Sequence, residues 1–202
     1  MIRPAHKTTG PHSVEDFFAL VKDGEKADLI NGVIYMASPD SPRANDIGFF
    51  VGSLLRYFVA ERSLGGRCYI SRVAFELDDS HAPEPDVAYV RGERMHLVAS
   101  GRVKGAPDIA VEIVSHDSVN RDYELKRDMY EAAGVPEYWI IDPIDNSAEF
   151  LVLRDGRYKT ATLEDGARFR STVLPGFWLD TRWLFATPLP KEPDCLQQIL
   201  AG

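Results

Sequence analysis

The sequence is poor in cysteine and contains no long apolar run. Its two cysteines, Cys68 and Cys195, are far apart and belong to no paired-cysteine motif, so we expect neither a disulfide framework nor a zinc site. No apolar run approaches the roughly 18 residues that are needed to cross a bilayer. The first residues carry charge but are not followed by an apolar segment, so a secretory signal is not expected. We therefore expect a cytoplasmic protein.

The sequence also lacks an excess of positive charge. It has 23 Lys and Arg against 31 Asp and Glu, a formal net charge of -8, and acids outnumber bases in both halves. Proteins that bind phosphate groups tightly usually do so with clustered Lys and Arg. This balance argues against tight, indiscriminate DNA binding, but it leaves room for a groove that is locally positive or that uses a metal ion.

Length and patterning predict one domain of the α/β class. We expect a single domain over 1–202: an N-terminal helix and hairpin (1–38), a core of helix, three strands, helix and strand (39–143), and an antiparallel extension (144–190). The predicted architecture is a sandwich with a mixed central sheet, helices against the sheet, and hairpin extensions at both ends.

Turn and cap residues place the individual elements. Asn31-Gly32, between two apolar runs, is a strong hairpin signal, and Gly65-Gly66 and Gly134 mark helix ends. Ser13 and Ser118 are candidate helix caps. The predicted helices lie within 13–22, 41–66 and 117–135, and the predicted strands within 67–77, 85–90, 107–115 and 137–142.

Glu112 stands in the middle of the apolar segment 107–115. That segment is rich in β-branched residues and is typical of a strand buried on both faces. An unpaired buried carboxylate costs several kcal/mol (order of magnitude), so a cation, a hydrogen-bond network or a raised pKa must accompany it.

Asp86 is a possible second member of the same site. It follows a polar loop and begins the short strand at 85–90. If the two strands are neighbours, the carboxylates of Asp86 and Glu112 can converge on one ion. Mg²⁺ takes oxygen ligands and usually needs only one or two carboxylates, so these two residues are candidate metal ligands.

The helix that follows the third strand carries Asp122, Lys126 and Tyr130 at intervals of four residues. All three therefore lie along one helix face. A lysine there could point back to the metal site, orient a water molecule or stabilise negative charge on a phosphorus centre.

Each of these residues also has an ordinary structural interpretation. Asp122 and Lys126 could be an i, i+4 pair on a solvated helix, Asp86 could be a turn or cap acid, and Glu112 could be paired permanently with a buried Arg or Lys. The order of the three, an Asp at a strand start, a Glu within a strand and a Lys on a helix, is more informative than any one of them.

The sequence resembles the Uma-type "putative restriction endonuclease" family, formerly a domain of unknown function, in the PD-(D/E)xK nuclease superfamily. The matching segments are "ADLINGVIYMASP", "PEPDVAYV", "GAPDIAVEIVS", "DYELKRDMYEAAGVPEYWIIDP" and "LPGFWLDTRWLF", which together cover nearly the whole chain.

The resemblance implies a restriction-endonuclease-like fold and a set of roles. Asp86 and Glu112 would be metal ligands together with the backbone carbonyl of Ile113, and Lys126 would be the catalytic lysine. In the superfamily's plain pattern the lysine stands two residues after the acid, where this chain has Val114. Its move to the following helix is a family variation.

The chain departs from the family in details. It has Asp28 where the family favours glutamate, and we count Asp28, Asp122 and Tyr130 as supporting residues. The family often has a histidine near the start of the long helix, where this chain has Ala44 and Asn45.

Two functions follow from this sequence. The first is a Mg²⁺- or Mn²⁺-dependent endonuclease that acts on nucleic acid, in the first place DNA, as a homodimer. The alternative is a nuclease-fold binding or interaction module with little turnover, which the net charge and the missing histidine favour. The apolar segment 174–185 could serve a dimer interface or the core.

Overall fold

The computed structural model describes residues 7–8, 10–22 and 24–202, and it contains five α-helices within those ranges. The helices are α1 (Val14–Leu20), α2 (Pro42–Glu61), α3 (Arg127–Ala132), α4 (Thr181–Phe185) and α5 (Glu192–Ala201). A 3₁₀ segment covers Gly92–Leu97, and a π-helical segment, Arg121–Lys126, leads directly into α3. None of the helices in the described part combines the length and the apolar character that spanning a bilayer requires.

Thirteen strands within the described ranges form one large sheet and three small ones. The strands are β1 (Ala27–Ile30), β2 (Val33–Met36), β3 (Arg67–Ile70), β4 (Ala74–Glu76), β5 (Val87–Val90), β6 (Val98–Ala99), β7 (Arg102–Lys104), β8 (Ile109–Ile113), β9 (Glu137–Asp142), β10 (Ser147–Arg154), β11 (Arg157–Thr160), β12 (Arg168–Arg170) and β13 (Trp178–Asp180). The small sheets are β1-β2, β12-β13 and β4-β7-β6.

The large sheet has the strand order β11-β10-β9-β8-β5-β3. It is mixed, because β8 and β9 run parallel while the other neighbours are antiparallel. A parallel pair needs a crossover connection, usually helical, and here the π-helical segment and α3 supply it. This crossover is what brings Lys126 to the sheet. The α/β class with a mixed central sheet is as predicted.

Helices cover both faces of the large sheet. On one face, Val111 and Ile113 of β8 pack in the cluster that contains the buried residues of α2. On the other face, Ala110 packs with Met129 and Tyr130 of α3. Since side chains alternate along a strand, Glu112 lies on the same face as Ala110. Its carboxylate is therefore directed toward α3 and the π-helical segment.

Several predicted elements are confirmed. Ser13 caps α1, and Asn31 and Gly32 take positive φ angles of 51° and 70° in the β1-β2 hairpin. A type I′ turn requires positive φ at both central residues. The strand predicted at 137–142 is β9, with the same bounds.

Two predictions about individual segments are wrong. The single strand predicted over 67–77 is divided into β3 and β4, which belong to different sheets, because Ser71 and Arg72 adopt positive φ angles of 54° and 56° and break the extended chain. Ser118 does not cap the crossover helix: its hydroxyl accepts a hydrogen bond from the Ser115 N–H and donates to Asp122.

The apolar segment 174–185 belongs to the core. Leu174, Phe177, Trp178, Leu179 and Leu184 are all buried in the cluster that also contains residues of α2 and α5. Of the two interpretations of this segment, the core role is therefore the one that the structure supports.

Candidate functional site

Asp86 and Glu112 meet at one end of the β5-β8 pair. These strands are antiparallel neighbours with Val87 opposite Val111, so Asp86, just before β5, lies beside Glu112. The backbone N–H of Ile113 donates to Asp86 Oδ2 at 2.7 Å. Asp86, Glu112 and Ile113 line one cavity of about 20 Å³, which has room for one water-sized particle. The structure thus brings both predicted metal ligands to one place.

Lys126 lies at the centre of three carboxylates. Its Nζ is 2.9 Å from Glu112 Oε2, 3.1 Å from Asp28 Oδ2 and 3.8 Å from Asp122 Oδ1, and its side chain is only 2% exposed. Asp122 and Lys126 therefore do not form a pair on a solvated helix, and that interpretation is wrong. Burial alone would lower the pKa of Lys126, but Asp28, Glu112 and Asp122 raise it well above its usual value.

Asp28 joins the N-terminal hairpin to this centre. It lies in β1, accepts the backbone N–H of Glu84 at 2.9 Å, and is 3.4 Å from Arg121 Nε. Although burial opposes its ionisation, Lys126 and Arg121 lower the pKa of the Asp28 carboxyl below its usual value. Asp28 is therefore an ionised partner of both cations, and Arg121 is a member of the site that the sequence did not single out.

Tyr130 and Asp122 complete the surroundings of Glu112 and Lys126. The Tyr130 hydroxyl donates to Glu112 Oε1 at 3.1 Å. Glu112 is thus held at both oxygens, by Lys126 and by Tyr130. The backbone carbonyl of Asp122 accepts from the Tyr138 hydroxyl at 2.8 Å. Among the described residues, Asp122 Oδ1 finds no hydrogen-bond donor although it is buried.

Lys26 is the second lysine of the site, and the sequence analysis missed it. Its ammonium pairs with Asp86 Oδ1, and both side chains are 15% exposed. One signal was present: Lys26 stands two residues before Asp28, and side chains two apart on a strand share a face. Burial acts to lower the pKa of Lys26, but Asp86 and Glu112 raise it overall, so Lys26 remains charged.

Acidic groups outnumber basic ones in what we call the carboxylate cluster, which consists of Asp28, Asp86, Glu112, Asp122, Lys26, Arg121 and Lys126. Burial raises the pKa of the Glu112 carboxyl, and the attraction of Lys126 offsets this only in part. Burial also raises the pKa of Asp122, again against the effect of Lys126. The raised pKa values and the excess of carboxylates mean that an additional positive charge would be stabilised in this cluster.

The donor set fits a hard divalent cation with few protein ligands. No three His, Cys, Asp or Glu side chains are arranged as a complete metal cage in the part of the chain that is described. Mg²⁺ does not require one, because it usually keeps several waters and binds through one or two carboxylates. Asp86 and Glu112 could hold such an ion at their shared cavity, with the carbonyl oxygen of Ile113 as a further ligand.

The two Pro-Asp dipeptides have different roles. Asp86 lines the cavity, whereas Asp108 forms an ion pair with Arg94 at 3.0 Å and accepts the backbone N–H of Arg91 at 2.9 Å. Asp108 therefore fixes the 3₁₀ segment to the sheet and takes no part in the carboxylate cluster.

Comparisons with known proteins agree with the fold. A solved structure described as a "putative nuclease belonging to DUF820 from Anabaena variabilis ATCC 29413" is similar, with a TM-score of 0.70 and 18% sequence identity over 87% of this chain and 98% of that chain. No curated protein matches. The sequence model of the family described as "Uma2: Putative restriction endonuclease" matches residues 14–182, which include every member of the carboxylate cluster. The chain therefore belongs to the Uma2 family.

Proposed function

We propose that this protein is a Mg²⁺- or Mn²⁺-dependent endonuclease that hydrolyses phosphodiester bonds in nucleic acid, in the first place DNA. The observation that carries the proposal is the meeting of Asp86, Glu112 and Lys126 at one cavity, from a strand start, a strand interior and a crossover helix. Membership of the Uma2 family supports it.

In this proposal Asp86, Glu112 and the Ile113 carbonyl hold the ion. When bound, the ion supplies positive charge for the phosphoryl oxygens and lowers the pKa of a water molecule. Its charge also offsets the excess of carboxylates. In the structure Lys26 pairs with Asp86, so the Lys26 ammonium would have to move away from Asp86 for an ion to bind there.

Lys126 and Tyr130 position the carboxylate of Glu112. Lys126 contacts one oxygen and Tyr130 the other, so the carboxylate cannot rotate freely. The fixed ammonium of Lys126 also provides positive charge next to the place where negative charge develops on phosphorus. Preorganised charges of this kind act without reorganisation cost at the moment of reaction.

Cleavage assays with matched variants test this proposal. Purified protein incubated with plasmid DNA and Mg²⁺ or Mn²⁺ should produce nicks, while Glu112→Gln and Lys126→Ala should not. Asp145→Asn, at an exposed acid on the loop after β9, is the control and should cleave normally. Circular dichroism shows whether each variant is folded. Equal cleavage by all variants would contradict the assignment.

One observation favours a second candidate, a binding module without turnover. Asp86 and Glu112 are each already paired with a lysine, so the site satisfies part of its charge without a metal. Calorimetric titration with Mn²⁺ separates the two candidates. The enzyme must take up the ion at micromolar to millimolar concentration, and heat of binding must disappear in Glu112→Gln. A binding module need not take up the ion at all.

We further propose that a homodimer carries out cleavage of both strands, because two-fold symmetric enzymes place one site on each strand. The segment 174–185 does not provide the interface, since its large apolar side chains pack in the core. Light scattering after gel filtration gives the mass in solution, and a monomer that cleaves both strands would contradict the dimer.

A further inference from the structure

Two cavities lie between α2 and β3 beside the carboxylate cluster, and Ile70, which packs against α2 at Gly52, lines both. One cavity is lined by Asn45 and Phe49 of α2, by Ile70 of β3, and by Asp86 and Ile113 of the candidate site. A second cavity, of about 920 Å³, continues along the same two elements, and Ile70 lines this one as well. We call the two together the edge groove, because β3 is the outermost strand of the large sheet.

Phe49 presents an aromatic ring at the start of the edge groove. It is 56% exposed, whereas the adjacent Phe50 is fully buried. Next to it, Gly48 leaves open space, since a Cβ added there would meet nothing within 4 Å. An exposed aromatic ring offers a flat apolar face on which a planar group can stack. The ring of Phe49 is free to stack on a flat partner.

Arginines without competing acids line the far part of the edge groove. The charged residues that line the second cavity are Arg56 and Arg67, and none of the described residues that line it is acidic. The protein as a whole carries a net charge of -8. A negatively charged chain therefore meets local attraction in this far part, whereas Asp40 and Asp86, which line the near cavity, repel it.

We propose that the edge groove is the path of a single, unpaired nucleic-acid strand, with one base stacked on Phe49 and phosphates beside Arg56 and Arg67. The inference rests on the proposed nuclease function, because it places the strand's phosphodiester bonds next to Asp86. It goes further in naming the substrate class as single-stranded or locally unpaired nucleic acid.

The combination of one aromatic ring and two arginines fits a single strand better than a duplex. Proteins that bind single strands combine base stacking on aromatic side chains with a positive groove. Tight duplex binding relies on many phosphate contacts, which this acidic chain does not offer. Phe49 and Arg56 are seven positions apart on α2, a distance of about 10 Å along the helix at 1.5 Å per residue.

The test is a binding measurement without metal, so that it does not depend on cleavage. Fluorescence anisotropy of a labelled 12-nucleotide single strand in EDTA should show tighter binding than for the matching duplex. Phe49→Ala should weaken single-strand binding about tenfold and leave duplex binding unchanged. Tyr57→Ala is the matched control, because Tyr57 is 55% exposed on the same helix but lines neither cavity. It should change binding less than twofold.

The arginines are tested through salt. Replacing both Arg56 and Arg67 by Gln should reduce the slope of log affinity against log salt concentration by about 1.4, from two phosphate contacts at about 0.7 each. The control replaces Arg154 and Lys159 by Gln; both are exposed and lie on β10 and β11, at the opposite side of the sheet. The control should leave the slope unchanged.

Three outcomes would contradict the edge-groove proposal. They are no binding of single strands by the wild type, tighter binding of the duplex than of the single strand, or single-strand binding by Phe49→Ala that equals that of the wild type. A dimer that Phe49→Ala converts to a monomer would show instead that a second copy occupies the groove. Failure of the nuclease proposal looks different, because single-strand binding would then depend on Phe49 while added Mn²⁺ produced no cleavage. If Phe49→Ala cleaved normally and bound single strands with undiminished affinity, only the edge-groove proposal would be rejected, and the nuclease proposal would stand.

Discussion

Two glutamates lie buried on neighbouring strands of the large sheet, and their surroundings differ. Glu112 is in the middle of β8 and Glu137 begins β9. Both are almost inaccessible, at 2% and 0% exposure. Glu137 lies in a network of neutral hydrogen-bond donors, whereas Glu112 shares a cation with other carboxylates.

The Glu137 carboxylate is satisfied by hydrogen bonds alone. It accepts from the backbone N–H groups of Thr172 and Val173, from the hydroxyls of Ser171 and Thr172, and from the Trp139 indole N–H. These donors hold the loop that precedes the apolar segment 174–185 against the sheet. These hydrogen bonds account for the burial of the Glu137 carboxylate, so Glu137 does not indicate a binding site.

The surroundings of Glu112 contain cations and further carboxylates. Its partners are Lys126 and Tyr130, and Lys126 is shared with Asp28 and Asp122. A buried carboxylate is therefore not by itself a sign of function. What distinguishes Glu112 is an excess of like charge at a cavity, which is unfavourable for stability and favourable for binding a cation.

Among the substitutions that test this comparison, replacing Lys126 should have the largest effect on stability. Lys126→Met leaves Glu112, Asp28 and Asp122 without their central cation, and we expect the free energy of unfolding at neutral pH to fall by about 3–5 kcal/mol. Urea denaturation in EDTA measures it. Lys159→Met, at an exposed lysine on β11, is the control. A loss below 1 kcal/mol would show that this cluster does not depend on its cation.

Glu137 should have the next largest effect, and on stability alone. Glu137→Ala leaves the donors of Ser171, Thr172 and Val173 unsatisfied, and each buried orphaned group is costly, so we expect a loss of about 2–4 kcal/mol. Mn²⁺ binding measured by calorimetry on folded protein should be unchanged. Loss of Mn²⁺ binding in Glu137→Ala would show that the two glutamates do not differ in the way described.

The parts of the fold that were predictable are those that local chemistry specifies. Asn31-Gly32 fixed the hairpin, and the apolar run at 137–142 fixed β9 to the residue. The break between β3 and β4 was not predictable. It occurs at Ser71 and Arg72, which have positive φ angles although neither is a Gly or an Asn, the residue types that usually adopt them. The surrounding tertiary structure imposes that conformation, and the sequence pattern contains no trace of it.

The same limit applies to the site. The grouping of Asp86, Glu112 and Lys126 could be predicted from their order in the sequence, because the periodicity of a strand or a helix determines the face on which each side chain lies. Lys26 and Arg121 were missed because long side chains reach partners far away in sequence, such as Asp86 at a separation of 60 residues. Nor could the sequence distinguish Glu112 from Glu137, because each stands within an apolar strand and only the partners differ.

Lys26 allows a finer test of the idea that excess negative charge prepares the cluster for a cation. Its ammonium pairs with Asp86 and must leave when an ion binds there. Removing it should strengthen Mn²⁺ binding about tenfold, or about 1.4 kcal/mol. Calorimetric titration of Lys26→Met, with the exposed Lys22→Met as control, gives the value. Unchanged or weaker binding would mean that Lys26 and the ion do not compete.

The smallest effect is also the most discriminating, because the same substitution should have opposite signs at the two glutamates. Glu112→Gln removes one carboxylate from a cluster that has too many, and the amide can still accept a hydrogen bond from Tyr130. We expect the free energy of unfolding in EDTA to rise by about 1 kcal/mol or less. Glu137→Gln replaces an acceptor of neutral donors by a group with one acceptor oxygen, and we expect a loss of about 1–2 kcal/mol. Urea denaturation of the pair at neutral pH measures both changes. If Glu112→Gln were as destabilising as Glu137→Gln, Glu112 would be a structural residue like its neighbour, and its carboxylate would owe its place to the fold rather than to a bound ion.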